Sequence, residues 1–396
     1  MTDPRKPLRL FDRIESAIFL DRLNRFVVRC RRRSETVTAY LPNPGRLWEL
    51  LLPGRTIYLE PADETTPKKH RWTAVAVERE GVPILLHTHC ANRVVHRLIE
   101  DGALPEYRDV TAIMPEVKKG RSRFDFLLRE GLRHRYLEVK SCTLAGKTIA
   151  MFPDAATERG ARHIRELSHL AGDGERCGVL FLVHWPTARL FMPDYHTDLA
   201  FSRTLCEARH RIAVTACSVE WRPGIILGPI VRPLPIPWDL VEEESRDRGC
   251  FLILYRLSGG ITIRGPSAKN VSLPKGHYVY VGEADNNLTD LLKQRLRKRE
   301  TSFDPLAQLR RSADRIRTAP IRTADSMKER IIEGLRSLGG RETPGFPTAS
   351  SPSSGCCFSM TEDPLTNEGF VNLLIDWRIN RLEAKISERT APQGYD

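Results

Sequence analysis

The chain has 396 residues, of which 41% are hydrophobic, and its formal net charge is +12. This length and hydrophobic content predict two or three globular domains. The charge favours a polyanionic partner such as nucleic acid, although ordinary basicity without such a partner is an equally good reading of charge alone. No apolar run approaches the roughly 18 residues of a membrane-spanning helix, so a membrane protein is not expected.

The N-terminus and the cysteines favour a cytoplasmic location. Residues 1–8 lack the apolar core of a signal peptide. The nine cysteines are odd in number and include no C-x-x-C pair, which indicates reduced thiols. His87, His89 and Cys90 alternate near a helix start. We favour a structural role for them over a metal site, because the usual second pair of ligands is absent. The sequence leaves the oligomeric state open.

Residues 8–85 form the first predicted domain, a small β-barrel. Asn-Pro-Gly and Pro-Gly turns separate five strand-like runs, namely residues 17–20, 25–30, 36–41, 55–60 and 72–78. An OB-like barrel fits this pattern, and such barrels bind single-stranded nucleic acid through basic and aromatic groups. The candidate contacts are Arg25, Phe26, Arg31, Arg32, Arg33, Asn43 and Arg46. The Arg31–Arg33 run by itself is also typical of a solvated hairpin tip.

Residues 86–222 form the second predicted domain, and a hairpin in it carries the candidate chemistry. After a predicted helix over residues 92–101 come two strand-like runs, residues 122–128 and 134–141. If Gly131 and Leu132 lie at the tip, Asp125 stands opposite Glu138, with Cβ atoms about 4.5–5.5 Å apart. In the second run Glu138 and Lys140 point to the same side.

Two carboxylates at that separation repel each other unless a proton or a cation lies between them. Mg²⁺ or Mn²⁺ suits the position, because Mg²⁺ binds one or two carboxylates together with waters and phosphate oxygens. We therefore predict a metal-dependent phosphodiesterase site with Asp125 and Glu138 as ligands, joined by the Val139 carbonyl. Lys140 would hold the attacking water or neutralise charge on the phosphorus. The alternative is a surface hairpin with exposed ion pairs of little energetic value.

A helix over residues 155–171 is predicted next, with Asp154 as its N-cap and Gly172 as its end. Ile164, Leu167, Leu170 and Ala171 form its apolar stripe. Arg159, Arg162, His163 and Arg165 lie mostly away from that stripe, where they would meet a phosphate backbone or simply face solvent. A buried strand over 178–184 and a last helix over 205–214 follow. The order of elements is that of an αβββαβ nuclease core.

Several sequence blocks carry a resemblance to a known family. They are residues 39–47 (AYLPNPGRL), 90–94 (CANRV), 115–126 (PEVKKGRSRFDF), 136–141 (YLEVKS) and 152–163 (FPDAATERGARH). The pattern Asp125…Glu138-Val-Lys140 resembles the PD-(D/E)xK nuclease signature. Residues 8–220 resemble the SfsA family, the sugar fermentation stimulation proteins.

This resemblance implies a nuclease-like fold preceded by an OB-like barrel. It also implies DNA binding, a link to the regulation of sugar metabolism, and DNA or RNA cleavage. In PD-(D/E)xK folds a preceding acidic residue can supply another metal ligand, and Glu116 is the candidate here, with a surface or capping role as its alternative. Arg123, beside Asp125, is a further candidate for nucleic-acid contact.

The remaining chain is predicted to contain a linker, a third domain and a tail. Residues 223–248 are proline-rich, then acidic, and are predicted to be a linker. Residues 249–360 resemble the GIY-YIG nuclease pattern through Gly249-Cys-Phe251 and Gly276-His-Tyr-Val-Tyr-Val-Gly282. The degenerate site would comprise Phe251, Tyr280, Arg295 and Glu329. Phe251 replaces a tyrosine, so we expect binding rather than cleavage. A flexible loop is predicted over 346–355 and a helical tail over 361–396.

The predicted architecture is a multidomain α+β and α/β protein. It has an OB-like barrel, a restriction-endonuclease-like PD-(D/E)xK core and a GIY-YIG-like α/β domain. The predicted function is Mg²⁺- or Mn²⁺-dependent DNA or RNA cleavage in the cytoplasm. The alternative is a DNA-binding transcriptional regulator without turnover, linked to sugar metabolism.

Overall fold

The computed structural model describes residues 7–62, 70–120, 122–264, 270–297, 305–343, 346 and 355–390. The chain divides into two compact units. The N-terminal unit comprises residues 1–194 and 200–238, and the C-terminal unit comprises residues 195–199 and 239–396. No helix among the described residues is both long and apolar enough to cross a membrane.

The N-terminal unit begins with a closed five-stranded barrel. The strands follow the order β3-β2-β1-β4-β5, and a parallel pairing of β3 with β5 closes the ring. Along β2 the side chains alternate, with Val28 and Cys30 fully buried and Arg29 and Arg31 exposed. The strands are β1 (Glu15–Asn24), β2 (Val27–Arg32), β3 (Glu35–Tyr40), β4 (Thr56–Pro61) and β5 (Trp72–Arg79), followed by β6 (Val82–Leu85) as a hairpin on β5. The predicted barrel is confirmed, because each predicted run overlaps one of its five strands.

A six-stranded mixed sheet forms most of the rest of this unit, in the order β14-β13-β11-β9-β8-β7. The three central strands β9, β11 and β13 are parallel, and the outer pairs are antiparallel. The strands are β7 (Val110–Lys119), β8 (Ser122–Glu130), β9 (Arg133–Cys142), β11 (Arg176–Val183), β13 (Ala213–Arg222) and β14 (Ile226–Pro233). Two further strands, β10 (Ile149–Phe152) and β12 (Leu190–Pro193), pair with each other in parallel.

Helices cover both faces of the six-stranded sheet. The helix α1 (Ala91–Glu100) shares a core cluster with Leu137 and Val139 of β9. The helices α2 (Glu158–Gly172) and α3 (Leu199–Ala208) share the opposite cluster with Tyr136 of β9. Together α1, β7, β8, β9, α2 and β11 follow the predicted order, with β10 as an additional strand before α2.

Three predictions for this unit are wrong. The helix predicted over 205–214 ends at Ala208, because Val214 already pairs with β11 as part of β13. The predicted linker 223–248 contains β14 and α4 (Trp238–Glu244). Its prolines are tolerated because β14 lies at the edge of the sheet, where a missing N–H does not break a ladder. Asp154 does not cap α2; Thr157 does, by accepting a hydrogen bond from Gly160 N at 3.0 Å.

The C-terminal unit contains a five-stranded antiparallel sheet in the order β19-β15-β18-β21-β20 and a separate hairpin, β16-β17. The strands are β15 (Gly249–Leu257), β16 (Ile261–Arg264), β17 (Asn270–Leu273), β18 (Gly276–Ala284), β19 (Arg315–Arg322), β20 (Arg341–Glu342) and β21 (Cys356–Met360). The helices are α5 (Leu288–Leu296), α6 (Pro305–Ser312), α7 (Lys328–Ser337), α8 (Glu368–Ile375) and α9 (Leu382–Thr390), with a π-helical turn, Asp376–Asn380, between the last two.

The predicted tail over 361–396 is an integral part of this unit as far as residue 390. Phe370 and Trp377 are buried, and the buried Glu244 of α4 accepts hydrogen bonds from Arg381 and Lys385 at 2.5 and 2.6 Å. This helical segment packs into the unit because burial removes its large apolar side chains from water. Most of the loop predicted over 346–355 lies outside the described residues.

Candidate functional site

The hairpin β8–β9 brings Asp125 and Glu138 to the same level. Pairing runs from Glu130↔Arg133 to Phe126↔Leu137 and is centred on Gly131 and Leu132. The next position along each strand is Asp125 on β8 and Glu138 on β9. The structure thus has the strand register that the hairpin tip predicted.

Asp125 is fixed by both of its carboxylate oxygens. Oδ1 accepts a hydrogen bond from Asn92 Nδ2 of α1 at 2.7 Å, and Oδ2 accepts one from the backbone N–H of Val139 at 2.7 Å. The backbone N–H of Val139 points toward β8 but lies past the last backbone pair, Phe126↔Leu137. The Asp125 carboxylate accepts its hydrogen bond instead of a backbone carbonyl. The N–H and C=O of one residue point to the same side of a strand, so the Val139 carbonyl also points toward β8.

The backbone around Asp125 is irregular. Phe124 belongs to the core cluster on the α2 side and Phe126 to the cluster on the α1 side, although residues two apart on a regular strand share a face. Across from Asp125, Glu116 of β7 has a left-handed φ of 59°. Non-glycine residues seldom adopt this conformation, and such outliers concentrate at functional sites.

Glu138 is buried, with only 4% of its surface exposed. Its Oε1 accepts hydrogen bonds from Lys140 Nζ at 2.5 Å and His163 Nδ1 at 2.6 Å. Its Oε2 is buried and has no hydrogen-bond partner. A buried carboxylate oxygen without a partner is costly, so this atom marks a position where a cation or donor would be stabilised.

The two carboxyl groups have opposite pKa shifts. Burial, and then the negative charge of Glu138, raise the pKa of Asp125 above its ordinary value. Burial also acts to raise the pKa of Glu138, but hydrogen bonding from His163 and the charge of Lys140 outweigh it, so the pKa of Glu138 is lowered. Glu138 is therefore ionised, and His163 Nδ1 must be the donor in their hydrogen bond.

The donor set fits a hard divalent cation that keeps most of its waters. The two carboxylates and the Val139 carbonyl are oxygen ligands of the kind Mg²⁺ prefers. Among the described residues, no group of three or more His, Cys, Asp or Glu side chains could hold a metal. Such an ion would depend on water and substrate oxygens for its remaining ligands.

Glu116 does not join this pair. Its exposed carboxylate forms a salt bridge with Arg123 at 2.9 Å, and 58% of the side chain is accessible. The exposure of Glu116 and its pairing with Arg123 make it a surface residue in this structure. The expectation that it adds a third carboxylate is not met here.

Two residues predicted to contact nucleic acid are buried instead. His163 is 4% exposed because it turns inward to bind Glu138. Asn43 is 5% exposed, accepts a hydrogen bond from Gly45 N and donates one to Leu86 O. Neither side chain lies on the surface, because each has a hydrogen-bond partner inside the fold. Arg159 and Arg162 are exposed on α2 as expected, and Arg46 lies 4.9 Å from the ring of Trp48.

The loop containing Asn43 packs against the start of the α2 segment. Asp154 Oδ2 accepts a hydrogen bond from Leu47 N at 2.6 Å, and a Cβ on Gly45 would lie 2.8 Å from that oxygen. Glu49 is buried nearby, and its Oε1 has no partner. Burial, and then the charge of Asp154, raise the pKa of Glu49 to about 8.

A serine–histidine pair beside the site does not form a nucleophile. His184 Nδ1 accepts from Trp221 Nε1 at 3.1 Å, so the neutral ring carries its proton on Nε2 and donates to Ser141 Oγ at 2.9 Å. Burial lowers the pKa of His184 to about 3, which keeps the ring neutral. A base would have to accept the serine proton, and this ring is a donor instead.

Asn92 and the inward role of His163 were missed by reasoning from the sequence. Asn92 lies in the block CANRV, directly after the start of α1. His163 lies one residue before Ile164, a member of the predicted apolar stripe, and a wider apolar face would have included it. The position of His163 beside the apolar stripe indicated that it could face inward. The partners, Asp125 for Asn92 and Glu138 for His163, lie on other elements and could not be identified from the sequence of either helix.

The residues of the predicted degenerate site in the C-terminal unit are not all brought together. Phe251 and Tyr280 lie 6.1 Å apart by ring centroids, in a core cluster with residues of α5, the helix that carries Arg295. Glu329 is exposed on α7, and its charge contributes to raising the pKa of Cys250. Cys250 is adjacent to Phe251 on β15, so the two side chains point to opposite faces of the sheet.

The N-terminal unit defines a class of protein: an OB-like barrel joined to a mixed α/β domain in which a buried glutamate, Glu138, lies beside the half-buried Asp125 and Lys140. Comparison with known families agrees. Residues 20–86 match the SfsA N-terminal OB domain, and residues 89–224 match the domain described as "Sugar fermentation stimulation protein RE domain". The chain belongs to the SfsA family.

Individual relatives support this assignment. The sugar fermentation stimulation protein homolog of Moorella thermoacetica is 40% identical over 193 residues, which is 48% of this chain and 83% of the relative. The homolog of Chloroflexus aurantiacus is 38% identical over 227 residues, covering 57% of this chain and 87% of the relative. A solved structure, "The structure of Pyrococcus Furiosus SfsA in complex with Ca2+", matches with a TM-score of 0.53 and 30% identity, covering 58% of this chain and 99% of that one.

Proposed function

We propose that the N-terminal unit is a metal-dependent nuclease of the PD-(D/E)xK type that hydrolyses phosphodiester bonds in DNA or RNA. Asp125 and Glu138 would hold Mg²⁺ or Mn²⁺, together with the Val139 carbonyl. The observation that carries this proposal is the buried, unpartnered Oε2 of Glu138 beside a fixed Asp125. The solved relative described as a Ca²⁺ complex gives independent support for a divalent cation in this family.

A divalent ion at this position would polarise a phosphoryl oxygen and lower the pKa of a bound water. The chain contributes orientation and charge. Asn92 and the Val139 N–H hold Asp125, and His163 holds one oxygen of Glu138 so that the other is available. Lys140 has 14% of its side chain exposed, so its ammonium group can reach a water or a phosphate oxygen from its position beside Glu138.

Nucleic acid would also be held outside the cluster. On the barrel, the exposed Phe26 lies 5.9 Å below the guanidinium of Arg25, and Arg46 lies against Trp48. A base can stack on such a ring while the arginine contacts a phosphate. On α2, Arg159 and Arg162 are exposed on the helix that supplies His163. These residues would position the phosphate backbone of the nucleic acid without recognising its base sequence.

The test is incubation of the purified chain with labelled single- and double-stranded DNA and RNA, with and without Mg²⁺ or Mn²⁺. We expect metal-dependent release of nucleotides or fragments that is abolished in Asp125→Ala and in Lys140→Ala. Glu175→Gln is the matched control, since it removes a carboxylate paired with a lysine (Lys119, 2.9 Å) elsewhere in the domain. Unchanged activity in both site variants would refute the proposal.

A second candidate function is that of a DNA-binding regulator without turnover. The observation that favours it is the pairing of Glu138 with Lys140 and His163, which neutralises this buried charge without a metal. Calorimetric titration with Mn²⁺ separates the two candidates. Absence of binding at millimolar Mn²⁺ would support the regulator, and binding that disappears in Asp125→Asn would support the enzyme.

A further inference from the structure

Three arginines form a compact positive surface on the sheet of the C-terminal unit. Arg315 of β19 pairs directly with Arg256 of β15, which pairs in turn with His277 of β18. Directly opposed residues of antiparallel strands share a face and have Cβ atoms about 4.5–5.5 Å apart. Arg317, two residues along β19, points to the same side as Arg315. We call Arg256, Arg315 and Arg317 the arginine row.

These charges repel each other. Like charges at directly opposed positions destabilise a sheet, and the pair Arg256–Arg315 occupies such positions. Burial, and then the positive charge of Arg315, lower the pKa of Arg317. All three side chains are exposed at the surface, so a molecule in solution can reach them.

Among the described residues, no acidic side chain forms a salt bridge with the row. In the part of the chain that the structure describes, none of the three guanidinium groups has a salt bridge or a hydrogen-bond partner. Asp314, which precedes Arg315 in the sequence, and Asp363 have hydrogen-bond partners of their own. Asp314 accepts a hydrogen bond from Ser258, and Asp363, whose charge acts on Arg317, caps the turn that begins at Pro364.

Protection of a sheet edge does not account for the row. Charged residues on an edge strand prevent pairing with another chain, and this would explain Arg315 and Arg317, since β19 lies at one end of the strand order. Arg256 is on β15, which is paired on both sides by β18 and β19. A charge on an interior strand, opposed to another of the same sign, offers no such protection.

We propose that the arginine row is a second nucleic-acid contact surface, which binds consecutive phosphates of the backbone. Arginine forms paired hydrogen bonds with phosphate, and a polyanion satisfies three adjacent guanidinium groups at once, which a single acidic side chain cannot do. Contacts to phosphates carry no sequence information, so the expected contribution of the row is general affinity. The proposal is independent of cleavage in the N-terminal unit.

The test compares two triple variants of the full chain with the same loss of charge. One is Arg256→Gln, Arg315→Gln and Arg317→Gln. The control is Lys293→Gln, Arg336→Gln and Arg389→Gln, which removes three cations of the same unit that are already paired, with Asp290, Glu342 and Glu243. Binding of labelled single-stranded and duplex oligonucleotides is followed by fluorescence anisotropy over a series of salt concentrations, in EDTA so that no cleavage occurs.

For the row variant we expect weaker binding at every salt concentration and a salt slope for duplex lowered by about 2–3, since each neutralised phosphate contributes about 0.9. The control should change the slope by less than about 1. Equal effects in both variants would overturn the proposal. So would loss of binding to phosphatidylserine vesicles without any change in oligonucleotide binding. A third variant, with lysine at all three row positions, keeps the charge and should retain most of the slope even if the glutamine variant fails to fold.

Discussion

The two candidate nuclease sites of this chain differ in how far apart in sequence their residues lie. Asp125, Glu138 and Lys140 belong to one hairpin, whose turn fixes which residues face each other. Phe251, Tyr280, Arg295 and Glu329 are spread over two strands and two helices. A motif within one hairpin thus specifies its own geometry, whereas a motif spread over packed helices depends on which face each helix covers.

The largest expected effect tests this difference directly with two glutamates. Glu138→Gln removes the charge beside the free oxygen, so we expect metal-dependent cleavage to fall about 1,000-fold or more and Mn²⁺ binding to disappear. Glu329→Gln should change neither quantity. Cleavage rates and calorimetric titration of Mn²⁺ measure the two effects, and a loss of activity in Glu329→Gln would restore the C-terminal unit as a catalytic candidate.

The two units also differ in how they treat a buried carboxyl group. Glu49 in the N-terminal unit has an unpartnered oxygen and a pKa of about 8, whereas Glu244 in the C-terminal unit binds Arg381 and Lys385. Because the folded pKa of Glu49 lies above its unfolded value of about 4.5, its protonation stabilises the fold at low pH. This contribution falls as the pH rises from about 4.5 and is lost once the pH passes about 8.

Glu49→Gln should therefore leave stability nearly unchanged near pH 4.5 and raise the free energy of unfolding by roughly 5 kcal/mol at pH 9. Glu244→Gln should act in the opposite direction, with a cost on the order of 3 kcal/mol at neutral pH, because it removes the buried carboxylate that pairs with Arg381 and Lys385 and, among the described acidic residues, leaves them only Asp325. Urea unfolding at several pH values measures both. A destabilised Glu49→Gln at pH 9 would show that the carboxylate is stabilised in the fold.

The next test concerns His163, which positions the proposed metal ligand Glu138. His163→Ala should weaken Mn²⁺ binding about 10- to 100-fold, because Glu138 Oε1 loses the donor that orients it. His163→Asn places an amide nitrogen near the position of Nδ1 and should recover most of the affinity. Equal affinities in wild type and His163→Ala would show that Lys140 orients Glu138 without help.

The smallest effect concerns Phe251, which stands where the GIY-YIG pattern has a tyrosine. Its ring fills the space over Gly282, where a Cβ would lie 2.3 Å from the ring. We expect Phe251→Tyr to create no cleavage in the inactive Asp125→Ala background and to destabilise the C-terminal unit by about 1–3 kcal/mol, since the new hydroxyl is buried without a partner. Nuclease assays and thermal unfolding measure the two outcomes, and any restored cleavage would contradict the expectation.

The barrel and the hairpin could be predicted because their signals are local. Alternation along β2 and the turns between the strands are properties of neighbouring residues, and the same is true of the register about Gly131 and Leu132. Errors arose where tertiary pairing overrides local preference. Strand β14 forms from a proline-rich segment only because β13 offers a partner, and the helix predicted to end at Val214 is cut short by pairing with β11.

By itself, the sequence determined the family, the five-stranded barrel and the side of β9 on which Glu138 and Lys140 lie, because these depend on residue order and strand periodicity. Only the tertiary structure decided that Asn92 holds Asp125 and that His163 turns inward to hold Glu138. It likewise decided that Arg256, Arg315 and Arg317 share a surface. The physical reason is that a partner on another element is set by packing, which the periodicity of a single segment does not contain.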